Sequence, residues 1–279
     1  MKIGLVQYAP VWEDKKANKL KIEILIDNLD EDISLLIFPE LTLTGFTMHS
    51  DKFAESIACL LPPKAGFSPP AKVRRGGRQA GRLDEESTDY FKALSKKLKI
   101  HILAGLIEQE DDKRFNTLVH ISPNGELQAK YRKIHPFSYS RENEFYQRGT
   151  EPIITEIDNF QVGLSVCYDL RFPELYRFYG KEKVDLIINI ANWPIARIEH
   201  WRILLRARAI ENQCYMVGVN RVGNDPKLSY NGYSSVFDPM GNEVVTLENI
   251  EKIISAEIFK EKVKEVRETF PFLDDIRLI

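Results

Sequence analysis

The chain predicts an α/β layered fold with mixed sheets, and three observations predict it. Apolar, β-rich runs bounded by turn residues recur along the sequence, and several are apolar at nearly every position, as strands covered on both faces are. Helical patterns alternate with these runs, which is the signature of sheets packed between helices. Two turns, Pro123-Asn124-Gly125 and Asp238-Pro239-Met240-Gly241-Asn242, have hairpin chemistry, so some neighbouring strands must run antiparallel. At 279 residues the chain fits one large α/β domain or two small ones, with a large core available, and a single domain over 1–279 is the expectation.

The elements follow in order. Lys2–Pro10 is a short apolar run without the apolar core and small-residue cleavage site of a signal peptide, and it reads as a first strand. A helical pattern over Asn18–Leu29 leads to a second strand in Ile33–Glu40. The acidic stretch Asp84-Glu85-Glu86-Ser87 suits a helix entry, so the next helix is placed over Glu86–Lys97. Strands are then expected within Lys99–Glu108, Thr117–Gly125 and Phe160–Asp169. A helix opens at or just after Pro173, where a missing N–H costs nothing, and extends to Tyr179. Strands within Val184–Trp193, Tyr215–Gly223 and Ser234–Asn242 and a helix over His200–Asn212 complete the pattern.

Composition excludes several classes. With 43% hydrophobic and 29% charged residues the chain is globular, and it holds no apolar run near the ~20 residues of a membrane helix. Three cysteines (Cys59, Cys167, Cys214) are too few for a disulfide scaffold and suit a reducing cytoplasm. A formal charge of −2 gives no global reason for nucleic-acid or membrane binding. Residues 60–82 break the pattern, with four prolines, four glycines and six basic residues but no acid. Such a stretch can neither propagate a helix nor hold a central strand, and it reads as a flexible surface insertion. A basic arm for a polyanion is the alternative; a tolerated loop is favoured because long surface loops cost little.

Three segments carry candidate chemistry. Glu40 ends the apolar run Leu35-Leu36-Ile37-Phe38-Pro39, where partial desolvation moves a carboxylate toward the range of a general base. Taken alone, such a residue equally well faces water. Cys167 lies between the strand Val162–Val166 and the helix at Pro173, the strand–turn–helix arrangement that displays a nucleophile above a sheet. The alternative, an inert buried thiol, fits Cys214 better, because Cys214 sits inside a continuous apolar run. Lys133, between aromatic and apolar neighbours in Tyr131–Phe137, is a candidate fixed cation for an oxyanion, or else a solvated strand-end lysine.

Together, FPELTLTGF, YRKIHPF and CYDLRFPELYR occur in an order that resembles the Glu, Lys and Cys signatures of the nitrilase superfamily, the carbon–nitrogen hydrolases. Ala191-Asn192-Trp193-Pro194 and the following segment to Gly223 resemble its omega-amidase branch, and the likeness runs from Lys2 to about Leu273 apart from 60–82. The resemblance implies a four-layer αββα sandwich that forms homodimers. It implies Cys167 as nucleophile, Glu40 as general base and Lys133 as oxyanion stabiliser. A second carboxylate is implied at Glu142, because an aromatic or apolar residue four later (Tyr146) and glycine seven later (Gly149) match the family spacing, which Glu144 does not.

The branch acts on short 2-oxo dicarboxylic acid monoamides, whose carboxylate needs a cationic or amide-rich pocket. Arg171 and Arg197 are candidate anchors, with ion pairs to Glu174 or Glu199 as the alternative, and Tyr168, Phe46 and Trp193 are candidate walls. The chemistry needs no metal and no cofactor: the five histidines show no metal-type spacing, and no phosphate loop or dinucleotide fingerprint is present. The expected partner is a small-molecule amide, without nucleic acid or membrane. A different amide, an N-carbamoyl amino acid or a nitrile remains an alternative substrate. A silent binding homologue is the reading from another class, and the intact Glu40, Lys133 and Cys167 set argues against it.

Overall fold

A computed structural model describes residues 1–27, 29, 32–57 and 86–278. The basic segment 60–82, Cys59, Asp84 and Glu85 lie outside the described residues.

The first half runs β1 (Lys2–Gln7), α1 (Lys15–Ile26), β2 (Leu35–Ile37), the single turn α2 (Ser50–Phe53), α3 (Ser87–Leu98), β3 (His101–Glu110), β4 (Lys113–Ile121) and β5 (Leu127–Arg132). The second runs β6 (Ile154–Ile157), β7 (Phe160–Val166), α4 (Pro173–Lys181), β8 (Leu186–Ala191), α5 (Ile198–Asn212), β9 (Tyr215–Asn220), β10 (Val222–Asn224), β11 (Ser229–Phe237), β12 (Glu243–Glu248), β13 (Lys252–Glu257) and α6 (Lys260–Thr269). One sheet has the order β13-β1-β2-β3-β4-β5, and the other β10-β11-β9-β8-β7-β6 with β12 beside β11. Both are mixed. β1, β2 and β3 pair in parallel, as do β7, β8 and β9, while both predicted turns close antiparallel hairpins, β4–β5 and β11–β12.

Period-two alternation divides each strand between two cores. Ile3, Leu5, Leu35, Ile37 and Leu103 face the second sheet, where they meet Val162, Leu164, Ile188 and Val217. Val6, Leu36, Ile102 and Ala104 face outward, onto Ile22 and Ile26 of α1 and Phe91 and Leu94 of α3. On the far side, Tyr176 and Tyr179 of α4 and Trp201 and Leu205 of α5 cover the second sheet. The result is the expected αββα order of layers, and it explains why β1, β8 and β9 are buried along nearly their whole length.

Some expectations need correction. The first helix begins at Lys15, because Asp14 accepts the Ala17 N–H and caps it, and it ends at Ile26. The helix over residues 87–98 is not entered through a local acidic cap: Glu86 makes no side-chain cap, and the Ser87 and Thr88 N–H groups donate to Glu55 instead. α6 and β13 gave no clear sequence signal, since α6 buries only Val263 and Val266, and β13 is defined by its pairing with β1 at the other end of the chain.

Candidate active site

Glu40, Lys133 and Cys167 each follow the end of a strand, whereas Glu142 opens a single 3-10 turn, Glu142–Glu144, between β5 and β6. Glu40 follows β2, and its loop lies so close to β3 that a Cβ at Gly105 would stand 2.5 Å from the Leu41 nitrogen. Only glycine permits that approach. Thr42 ties the loop down, its N–H donating to the Gly105 carbonyl and its hydroxyl accepting from the Gly105 N–H. Lys133 follows β5 and donates its N–H to the Asn116 carbonyl on β4. Gly149, the glycine of the Glu142 spacing, gives its N–H to the Lys133 carbonyl, and a Cβ there would lie 2.1 Å from the Arg132 oxygen.

Cys167 follows β7 in the left-handed region, at φ +49, which is strained for a residue with a side chain. Two buried groups hold it there. Asn189 on β8 accepts the Cys167 N–H at 3.0 Å, and Asp169 accepts the Val166 N–H at 2.9 Å. Asp169 also accepts from the Tyr131 hydroxyl at 2.7 Å and from the His135 N–H at 3.0 Å, which joins the cysteine turn to the Lys133 segment.

These side chains converge beneath one pocket. Lys133 Nζ donates to Glu40 Oε1 at 2.8 Å and to Glu142 at 2.9 and 3.1 Å, and all three residues are at most 1% exposed. Glu40 Oε1 accepts further from Asn116 Nδ2 at 2.7 Å, and Oε2 from the Asn192 N–H at 2.9 Å. Glu142 accepts from Asn116 Nδ2 at 3.0 Å and from the Phe137 N–H.

Two carboxylates around one lysine divide their protons unequally. Burial works to raise the Glu40 carboxyl, but Lys133 and the amide donors outweigh it and hold the group below the ordinary carboxylate range. At Glu142, burial reinforced by the Glu40 charge wins, and the carboxyl lies above it. Burial opposes the Lys133 charge, yet Glu142, Glu40 and Cys167 outweigh it and keep the ammonium protonated. Burial, and after it the Glu40 charge, pushes the Cys167 thiol well above the usual cysteine range. The Glu40 carboxyl therefore does not rise as its apolar strand alone suggests, because Lys133 and the amide donors outweigh burial, and the directions leave a protonated thiol beside an ionised carboxylate.

The pocket above the thiol has a volume of about 450 Å³ including its open mouth. Phe46, Tyr168, Trp193, Arg171 and Arg197 all line it, together with Phe137, Leu228 and Tyr230, which the sequence did not single out. Arg171 lies 4.8 Å over the Trp193 ring and meets His200 Nδ1 at 3.2 Å, while Arg197 lies 5.5 Å from the Phe137 ring. Neither pairs with Glu174 or Glu199 among the described residues, and Glu199 instead meets Arg202. Asn116, Asn189, Asn192 and Asp169 also escaped sequence reasoning as site residues, because their partners lie on other strands.

The family model of the carbon–nitrogen hydrolases matches residues 2–268. The chain belongs to this family. As a carbon–nitrogen hydrolase it is an enzyme, and several curated relatives match over nearly full length. It is 30% identical to a 2-oxoglutaramate amidase of Bacillus subtilis strain 168, over 99% of this chain and 97% of that protein. It is 30% identical to omega-amidase YafV of Escherichia coli strain K12, over 99% of this chain and 96% of that one. Among solved structures it is similar to XC1258 from Xanthomonas campestris, a carbon–nitrogen hydrolase superfamily protein with an arsenic adduct in its active site, with a TM-score of 0.86 and 30% identity over 100% of this chain and 98% of that one. Among the described residues no helix is long and apolar enough to cross a membrane, and no group of acidic, histidine and cysteine side chains could hold a metal ion.

Proposed function

We propose that this carbon–nitrogen hydrolase cleaves the terminal amide of a short 2-oxo dicarboxylic acid monoamide, of 2-oxoglutaramate or 2-oxosuccinamate type, to the acid and ammonia. The observation that carries the reading is the convergence of Cys167, Glu40 and Lys133 under a pocket whose wall holds Arg171 and Arg197 without a carboxylate partner among the described residues. Two guanidinium groups of that kind favour an anionic substrate, and the aromatic walls suit its short carbon chain.

In the proposed reaction the thiol proton passes to Glu40 as sulfur bonds to the amide carbon. The oxyanion is received by Lys133, whose Nζ lies 5.4 Å from the ring of the pocket residue Phe46, and by the main-chain N–H of Tyr168. Glu40 then protonates the nitrogen, the C–N bond breaks, and ammonia leaves a thioester on Cys167. Water enters, gives its proton to Glu40 and attacks the thioester, and collapse of the second tetrahedral species releases the acid and restores the thiol. Glu142 fixes Lys133 by two contacts and keeps the ammonium in place through the cycle. A nucleophilic thiol must stay reduced, which supports a cytoplasmic location.

A second copy of the chain is the proposed partner. The outward face of α5 leaves Ile203 and Ile210 exposed beside Glu199, Arg202, Arg206 and Glu243. Apolar residues flanked by both charge signs can meet themselves across a two-fold axis. Ammonia release from a panel of 2-oxo monoamides, neutral aliphatic amides, N-carbamoyl amino acids and nitriles tests the substrate, and sedimentation of the parent and of Ile203→Asp tests the dimer. A preference for neutral amides or nitriles would overturn the first assignment, and an unchanged sedimentation coefficient in the variant would overturn the second.

A further inference from the structure

Asn116, like Lys133, reaches both acids of the buried cluster. It sits on β4 opposite Ile107 and is 1% exposed. Its Nδ2 donates to Glu40 Oε1 at 2.7 Å and to Glu142 Oε1 at 3.0 Å, and its carbonyl accepts the Lys133 N–H at 2.8 Å. The orientation of the carboxamide is not in doubt chemically, since two carboxylate oxygens can only be met by the NH2 end. The other end, Oδ1, is buried and has no hydrogen-bond partner among the described residues. A buried acceptor left unmet is costly, and an apolar residue would avoid that cost on a strand whose neighbours Phe115 and Leu118 are both buried. What the position gains in return is the NH2 group alone.

We propose that Asn116 is a positioning residue of the reaction: its NH2 holds Glu40 and Glu142 in fixed places on the two sides of Lys133 Nζ, so that Glu40 Oε1 is committed to Asn116 and Lys133 while Oε2, steadied by Asn192, is the oxygen that takes the thiol proton. It lies outside the lining of the substrate pocket and acts through Glu40 and Lys133. Lysine by itself cannot do this, because an ammonium on a flexible stem follows whichever carboxylate moves. The amide is planar, anchored to β4 between β3 and the edge strand β5, and reaches both acids from one atom. It also adds a donor that favours the ionised form of Glu40.

This inference rests on the reading of Glu40 as the base, and its test separates the two. Asn116→Asp keeps the shape of the side chain and exchanges the shared donor for an acceptor, whereas Asn116→Ser keeps one hydroxyl donor. Expected in Asn116→Asp is a fall in kcat of about 100-fold or more, the usual scale for losing one aligned electrostatic contact, with KM changed less than about 3-fold. The acidic limb of kcat/KM should move to higher pH, and Asn116→Ser should recover part of both effects. The pH dependence of Cys167 alkylation by iodoacetamide is read in parallel, because it needs no substrate; its limb should shift in the same direction. Alkylation and rate profiles that match the parent in a folded Asn116→Asp protein overturn the role of Asn116. A parent that hydrolyses no amide, with the alkylation shift present, overturns the functional reading and keeps Asn116 as the residue that positions the base.

Discussion

Cys167 and Cys214 lie at opposite ends of one parallel array. β7, β8 and β9 run in the same direction, and Cys167 follows the C-terminal end of β7 while Cys214 precedes the N-terminal end of β9. Burial raises both thiols, Cys214 to about 12 and Cys167 well above its ordinary value, so burial does not tell a nucleophile from a spectator. The surroundings do. Cys167 has an ionised carboxylate, an ammonium and an open pocket beside it, at the sheet edge where strands of this class release their loops. Cys214 is fully buried in the core between β9 and the helices, and Arg267, Asp185 and Glu211 are the charges it feels. Position along the strand direction is what gives two similarly buried thiols such different surroundings.

The largest expected effect breaks that comparison outright if it fails. Cys167→Ala should abolish ammonia release while thermal unfolding stays close to the parent, and Cys214→Ala should keep its rate within a few-fold at a stability cost below about 2 kcal/mol. Activity surviving the first change, or vanishing in a folded form of the second, would reverse the assignment. Next in size, Glu40→Gln and Lys133→Met should each reduce kcat by about 1,000-fold, the first for want of a base and the second for want of the oxyanion's cation. Near-parent kcat in either folded variant removes that residue from the mechanism.

The pocket mouth sharpens the contrast, because only Cys167 has one. Arg171→Met and Arg197→Met should raise KM for an anionic amide by about 10- to 100-fold, the worth of a charge-assisted hydrogen bond, and leave a neutral amide unaffected. Equal losses on both substrates would make these arginines structural. The smallest effect lies away from both thiols. His120 bridges the two sheets, with Thr155 Oγ1 at 2.8 Å and His101 at 2.9 Å, and burial pushes it down to about 3. Between about pH 6.5 and 3 the unfolded chain then binds a proton that the folded chain refuses. Stability should therefore decline as pH falls from 6.5, by at most about 1.4 kcal/mol per unit from this group, and Glu40, whose carboxyl is also held down in the fold, should add to the decline in the same sense once pH falls through the carboxylate range. Denaturant midpoints of the parent and His120→Gln between pH 7 and 5 would show a shallower decline in the variant, and parallel curves would count against the bridge.

The legible part of the site is the part written locally. Glu40 behind an apolar strand, Cys167 at a strand–turn–helix, and the Glu142 to Gly149 spacing are each contained within a few residues. Gly149 shows why spacing works, since its contact with Arg132 tolerates no side chain. Asn116 carries no local signal, because its partners are 76 residues before it and 26 after. Asn192 meets Glu40 across a separation of 152 residues, and the cap of α3 came from Glu55 rather than from the adjacent acids for the same reason. Layer order and strand identity were readable from burial on both faces, whereas β6, β12 and β13 are short or half-exposed and are specified by the strands they pair with.

The pairing of β1 with β13 has a bearing on when the enzyme can exist. Lys2 is registered against Glu257, and the Met1 amino group donates to the Ile258 carbonyl, so the pair closes only when segments 257 residues apart meet. Until then β1 is an open edge, able to recruit a foreign strand. Contacts of such long sequence separation close late and slowly. One side of β1 is therefore a bare edge in any partly folded form that lacks β13, while its other side is already paired with β2.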